Sequence, residues 1–322
     1  MIAYNDLYIH NCALDAIALM AEDRTMTVLV LGSTGTVGPH VVHALRARGS
    51  DIRVIVRNAE RARSLFGSEV DVVEGDVTDP TVLHASLDGV DAVFLLTPHG
   101  NMLADVQLRI VRELRRTGIK VVKLSATSST IRPDGPQVSR EHWEVEEVLK
   151  ASGQPFVILR PNAFMQSAIN QIALPAIRAT GKLPNAIGRA GLSFIDAQDI
   201  GAVAATVLTE PGFDGETLVL TGPRAVTYRE VAELIGAARR QQIELMEITP
   251  AQFRESQLAR GVEPWEAEHF EEMFQIFRDN GSSQVSADVE RVTGRAPGTI
   301  ENFLKQQGTA LAATGEEQRI EA

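Results

Sequence analysis

A single cysteine, Cys12, occurs in the 322 residues. One thiol excludes an internal disulfide and any metal site built from several cysteines, and it suits a reducing compartment. Basic residues are also scarce: 31 Lys and Arg stand against 42 Asp and Glu, a net charge of −11. Such a surface repels phosphate backbones and anionic bilayers, so neither nucleic acid nor membrane is expected as a partner, and any phosphate has to be held by local groups. No apolar run approaches the roughly 20 residues of a membrane span. His40, His43, His84, His99, His142 and His269 show no metal-binding spacing such as His-Glu-x-x-His, and no metal is expected. Ser125, Ser128 and Ser129 lie in no Gly-x-Ser-x-Gly turn, which leaves acyl transfer without support. Low-complexity tracts and repeats with periods of 20–50 residues are likewise missing.

Residues 1–25 carry Asp6 and Asp15 among their apolar residues and have no basic region ahead of them, unlike a secretory signal. A cytoplasmic location is expected. Because Met26 directly precedes the first strand, this N-terminal extension is read either as a start-codon artefact or as a short accessory helix, dispensable for cofactor binding. The polar tail 308–322 is expected to be frayed and flexible.

Between these ends, short apolar runs alternate with helical stretches. The runs are Thr27–Leu31, Ile52–Val56, Val70–Val73, Ala92–Leu96, Lys120–Leu124 and Phe156–Leu159. Segments such as Val41–Arg48, Val106–Arg116 and Glu141–Ala151 carry apolar residues at helical spacing. This alternation predicts a doubly wound, parallel α/β sheet of the Rossmann type over 26–160, its strands buried on both faces. Over 161–307 the rhythm loosens. Helices are expected at Asp199–Leu208, Tyr228–Ala238, on either side of Gly261–Pro264 and towards Gln307. Extended segments are expected at Thr217–Leu220 and Ile243–Ile248. This part is read as the remaining sheet elements plus a smaller mixed α/β substrate-side region.

The turn after the first strand is Gly32-Ser33-Thr34-Gly35-Thr36-Val37-Gly38. In such a turn one glycine permits positive φ, one lets the backbone approach a pyrophosphate and the last lets strand and helix pack closely. The following helix offers its unpaired N–H groups to phosphate. About 20 residues on, Arg57 ends the second strand where an NAD-binding protein carries an acid for the ribose hydroxyls. An arginine there suits the 2′-phosphate of NADP(H), with Arg61 and Arg63 adding positive field, or else the three form a solvated face. Asp76-Val77 and Leu96-Thr97 follow the third and fourth strands, where carboxyl ends of strands line a cofactor crevice. Asp76 is equally placed to cap a helix over Thr78–Ser86.

Only Tyr4, Tyr8 and Tyr228 are tyrosines, and none stands in a Tyr-x-x-x-Lys pair. The proton-donating tyrosine of short-chain dehydrogenases is therefore missing. At the matching place, after the fifth strand, His142-Trp143-Glu144-Val145-Glu146 puts His142 and Glu146 one turn apart on one helical face.

The chain resembles the atypical short-chain dehydrogenases of the NmrA-like group, especially their quinone-reductase and triphenylmethane-reductase branch. The likeness rests on the glycine turn together with Val56-Arg57-Asn58, Glu74-Gly75-Asp76, Val122-Lys123-Leu124-Ser125, His142-x-x-x-Glu146 and Ile158-Leu159-Arg160-Pro161-Asn162-Ala163-Phe164-Met165. It continues in Asp196-x-x-Asp199-Ile200 and Leu220-Thr221-Gly222-Pro223. Pro39 in the phosphate-binding helix and Pro161-Asn162, in place of Asn-Gly, depart from the pattern. The resemblance implies that Ser125 and Pro161 border the cofactor and that Asn162, Phe164 and Met165 wall a substrate pocket, core packing being the other reading for the last two. His142 is the candidate catalytic residue, either as proton donor, as site lining or as one half of a surface pair. The implied activity is NADPH-dependent hydride transfer to a quinone or other conjugated aromatic acceptor by a monomer or homodimer. The alternative is a redox-sensing regulator that binds NADP(H) without turnover.

Overall fold

The computed structural model describes residues 25–98, 100, 102–115, 117–279 and 281–307, so the expectations for 1–24 and 308–322 lie outside the described residues. The first half alternates strand and helix: β1 (Thr27–Val30), α1 (Gly38–Ala47), β2 (Asp51–Val56), α2 (Ala59–Phe66), β3 (Asp71–Glu74), α3 (Pro80–Ser86), β4 (Ala92–Leu95), α4 (Leu103–Leu114), β5 (Lys120–Leu124), α5 (Gln137–Lys150) and β6 (Phe156–Pro161). The second half holds a π-helical segment (Gln166–Ala173), α6 (Leu174–Thr180), β7 (Lys182–Asn185), β8 (Gly191–Leu192), α7 (Ala197–Thr209), β9 (Thr217–Leu220), β10 (Val226–Thr227) and α8 (Tyr228–Arg239). It ends in β11 (Glu244–Glu247), α9 (Pro250–Ala259), α10 (Pro264–Arg278), α11 (Asp288–Thr293) and α12 (Ile300–Gln306).

Seven strands form one parallel sheet in the order β3-β2-β1-β4-β5-β6-β9. The chain winds outward in one direction from β1 to β3 and in the other from β4 onward, which opens a crevice at the carboxyl ends of β1 and β4. Strand residues alternate between the two faces. Val28 and Val30 join Val41, Val42 and Leu45 of α1 and Ile200, Val203 and Val207 of α7 in one core. Leu29 and Leu31 join Leu108 and Val111 of α4 and Val145 and Leu149 of α5 in the other. Burial on both faces therefore holds for the central strands, while β3 at the edge keeps exposed ends.

Six strands were expected from the apolar runs before Pro161; the seventh, β9, arrives from the later half, and α7 returns with it to cover the sheet. Gly201 of α7 lies so close to α1 that a Cβ there would stand 2.6–2.8 Å from His40. Pro39 sits in the first turn of α1, where the missing N–H removes no helical bond.

A third core gathers the rest: the π-helical segment and α6 against the parallel pair β7–β11, the antiparallel pair β8–β10, and helices α8, α9, α10 and α12. Capping boxes start α8 (Thr227 with Glu230) and α9 (Thr249 with Gln252). Between Met165 and Asp196 the sequence rhythm predicts no element, yet four are present. Their two- and four-residue strands are too short to show a period.

Among the described residues no helix is long and apolar enough to cross a membrane. No group of three or more His, Cys, Asp or Glu there is placed to hold a metal ion.

Candidate active site

Gly32 leaves β1 with φ +67°, and a Cβ on it would lie 2.8 Å from Leu96. The N–H of Gly35 donates to the Gly32 carbonyl over 3.1 Å and closes the turn. Gly38 is packed against that turn: a Cβ would collide with the Gly32 carbonyl oxygen and come within 2.5 Å of Ser33 Cα. A Cβ on Gly35, by contrast, would meet only Gly32 O, at 3.4 Å, and the residue is exposed. Gly32 thus makes the turn and Gly38 the close packing, while Gly35 leaves its surroundings open.

Val37, the residue before α1, supplies no side-chain cap, and the first turn of α1 holds no acid. Pro39 has no N–H and that of His40 donates to the Val37 carbonyl over 3.0 Å, so the N–H of Gly38 and the positive end of the dipole remain for an anion. The Ser33 hydroxyl beside them is buried without a hydrogen-bond partner. The cleft encloses about 350 Å³ and brings together Gly32, Ser33, Thr34, Arg57, Asp76, Val77, Leu96 and Thr97, four segments of sequence folded to one edge.

At one end of this cleft stand Arg57 and Asp76. Hydrogen bonds from the Thr78 N–H (2.8 Å) and hydroxyl (2.7 Å) hold the Asp76 carboxyl below its ordinary value, and the Arg57 charge adds to this against a small cost of burial. Asp76 does not cap the next helix. That helix starts at Pro80, and Asp79 caps it by accepting from the Thr81 N–H at 2.8 Å. Proline fixes the first helical φ, so the residue just before it takes the cap. Arg61 and Arg63 are exposed on α2 and do not line the cleft. At the other end, Gln107 of α4 is fully buried and donates to the Thr97 hydroxyl over 3.0 Å, a partner that the sequence reading left out.

The remaining candidates lie outside this lining. His142 and Glu146 do share one face of α5, at 8% and 0% exposure, so they are not a surface pair. Glu146 accepts from the Ser125 hydroxyl (2.6 Å) and from Arg160 Nε (3.0 Å) and Nη2. Burial works to raise its carboxyl, but the bonds from Arg160 and Ser125, with the charges of Arg160 and Lys123, hold it below the usual glutamate range. His142 Nδ1 lies 2.8 Å from Nζ of Lys123, a fully buried lysine of β5. Sequence reasoning quoted Lys123 within a matching segment and gave it no task, although a lysine inside Val121–Leu124 is itself a signal, since buried lysines are rarely kept without a partner.

Asn162 is also a support. Its amide donates to Ser193 Oγ (2.7 Å) and to the Ser282 carbonyl (2.8 Å), while its oxygen accepts from the Ala163 N–H (2.8 Å) and Thr127 (3.3 Å). Every polar atom of the side chain is thereby engaged. Met165 has the surroundings of the core-packing reading: it is 1% exposed inside the third core, because it opens the π-helical segment on its inward face. Phe164 is half-buried against the first core, paired through its backbone with Ile195, and Pro161 is buried at the end of β6.

Residues 24–310 match the model of the NmrA-like family. An NAD(P)H azoreductase from Xenophilus azovorans is 31% identical over 287 residues, 89% of this chain and 99% of that protein. A prestalk A differentiation protein from Dictyostelium discoideum is 30% identical over 291 residues, 87% of this chain and 92% of its own length. Among solved structures, an NADPH-dependent quinone oxidoreductase from Escherichia coli complexed with NADPH has a TM-score of 0.78 at 22% identity, covering 87% of this chain and 99% of its own, which shows the shared fold. With its glycine turn, seven-stranded sheet and near-complete coverage, the chain belongs to the NmrA-like family.

Proposed function

We propose that the protein is an NADPH-dependent reductase that passes a hydride to a flat, conjugated acceptor such as a quinone or an azo compound. The residues present fit the cofactor. Gly35 leaves room for a pyrophosphate, the α1 N-terminus and the unsatisfied Ser33 hydroxyl offer donors to it, and Arg57 stands where a 2′-phosphate would lie. When bound, NADPH supplies the hydride. The chain's own contribution is to orient it in the cleft, exclude water and hold the proton that the reduced acceptor needs.

The observation that carries the reading is the buried Lys123–His142 contact at the same sheet edge as the cleft. Lys123 is paired in register with Leu95, and Leu96 and Thr97 of the cleft follow directly. Burying a lysine, a histidine, a glutamate and an arginine together is costly. A sensor that only binds NADP(H) has no use for it, whereas a reductase lacking a tyrosine acid does. The 31% identical azoreductase and the structurally similar quinone oxidoreductase support an acceptor of this class.

Steady-state NADPH oxidation with a panel of quinones and azo dyes tests the proposal. NADPH deuterated on one C4 face should show a primary isotope effect and yield unlabelled NADP+, whereas deuterium on the opposite face should be retained in NADP+. No oxidation with any acceptor, alongside tight NADPH binding, would return the protein to the regulatory reading.

A further inference from the structure

Lys123 projects from the middle of β5 onto the face covered by α4 and α5, the side shared by Val121. The charged and titratable groups that face it are His142 and Glu146 from α5 and Arg160 from β6, and Lys150 reaches Glu146 from the next turn. Besides His142, its Nζ has the Leu124 carbonyl at 3.3 Å.

An ammonium has three donors and no acceptor, and a neutral imidazole has one of each. The 2.8 Å contact therefore makes Nδ1 the acceptor and leaves the ring proton on Nε2. A doubly protonated His142 would set a second cation against an ammonium that already neighbours the Arg160 guanidinium. The pair consequently holds one excess proton between its two members.

We infer that Lys123 is a positioning residue that fixes the Nε2–H tautomer of His142 and replaces the proton His142 gives up. This rests on the reductase reading above. In the step, the acceptor takes one hydrogen and two electrons from the nicotinamide, and a new O–H or N–H bond forms as Nε2–H breaks. An Nζ–H proton passes to Nδ1, so His142 stays neutral as the Nδ1–H tautomer and Lys123 becomes an amine; a water proton then adds at Nε2 as the Nδ1 proton returns to Nζ, which restores both resting forms. Burial lowers the Lys123 ammonium to about 7, against the pull of Glu146 and with the help of Arg160, which places the reserve proton near ambient pH where general acids act best.

Long-range proton–nitrogen NMR of protein labelled with ¹⁵N-histidine, without cofactor, reads the tautomer directly. At pH 6, where Lys123 is an ammonium, the expected parent spectrum shows His142 protonated at Nε2 alone, with no imidazolium. In Lys123→Met the preference is lost, so both neutral tautomers are populated. The same variant should lower kcat at least about 10-fold with KM unchanged and lose the pH-rate limb near 7. An Nδ1–H tautomer or an imidazolium in the parent at pH 6 overturns the inference, and that spectrum decides it even should Lys123→Met fail to fold. A fully active His142→Ala beside the expected parent spectrum would sink the catalytic reading while leaving the tautomer assignment standing; the reverse pair of results would do the opposite.

Discussion

The two ends of the sheet's carboxyl edge are built by different means. At the β1–β2 end the proposed anion site is mostly backbone: a turn of three glycines, the start of α1 and one buried hydroxyl, all within Gly32–Gly38. At the β5–β6 end the site is all side chain, with Lys123, Ser125, His142, Glu146 and Arg160 drawn from two strands and a helix. A backbone site tolerates little change in shape and is indifferent to much of the surrounding chemistry. A side-chain site behaves the other way round, and that contrast can be broken experimentally.

The largest effect is expected at Gly38. Gly38→Val drives a side chain into the Gly32–Ser33 backbone and should abolish the cooperative melt, a cost above about 4 kcal/mol. Gly35→Ala should shift the melt by less than about 1 kcal/mol yet weaken NADPH binding 10-fold or more, since its Cβ meets an ordinary contact inside and the ligand outside. Equal damage from both, followed by thermal unfolding and cofactor titration, would erase the division of labour among the glycines.

Next in size, His142→Ala should cut kcat for quinone reduction by about 10²–10⁴-fold while NADPH affinity stays within a factor of about two. A modest loss would reduce His142 to site lining. Arg57→Glu should weaken NADPH by about 10–100-fold, as expected when charge-assisted bonds of about 1.5–3 kcal/mol are removed, and should invert the preference over NADH. Intrinsic-fluorescence titration of both nucleotides checks this, and equal affinities in the parent protein would remove the 2′-phosphate site.

The smallest effect concerns stability against pH. The Lys123 ammonium, at about 7 in the folded chain against about 10.4 when unfolded, binds fewer protons when folded, so stability rises with pH between those values. The penalty of the buried charge is complete below about pH 7 and relieved towards pH 10. Lys123→Met should therefore be stabilised relative to the parent at pH 6, with the gap closing as pH rises, by at most about 1.4 kcal/mol per pH unit. Denaturant melts at pH 6, 8 and 9.5 measure it; a gap that does not change with pH would mean that Lys123 is not the group being relieved.

The same contrast explains what could be read in the sequence. That Gly32–Thr34, Arg57, Asp76 and Thr97 meet in one cleft was legible because each directly follows a strand of the parallel sheet, at the edge where the carboxyl ends gather. The central strands were legible because both of their faces are apolar. The Lys123–His142 contact was not, since its members lie on different elements and only the register of β5 under α5 joins them. Met165 shows the limit of precedent: a position beside a cofactor edge in sequence turned into the third core once the π-helical segment set its direction. Asp79, not Asp76, took the helix cap because Pro80 fixed where that helix begins.

The packing of α1 on α7 at Gly201 and His40 also sets an order of events at the ribosome. Residues 38–47 cannot meet their cover until residue 209 has been made, on the order of ten seconds later at translation rates of about 5–20 residues per second. Through that interval the Val41, Val42 and Leu45 face of the phosphate-binding helix lacks half of its core. A nascent chain of this topology therefore spends its synthesis with the nucleotide site drawn but not closed, the state in which a chaperone, or an early-bound dinucleotide, has most to offer it.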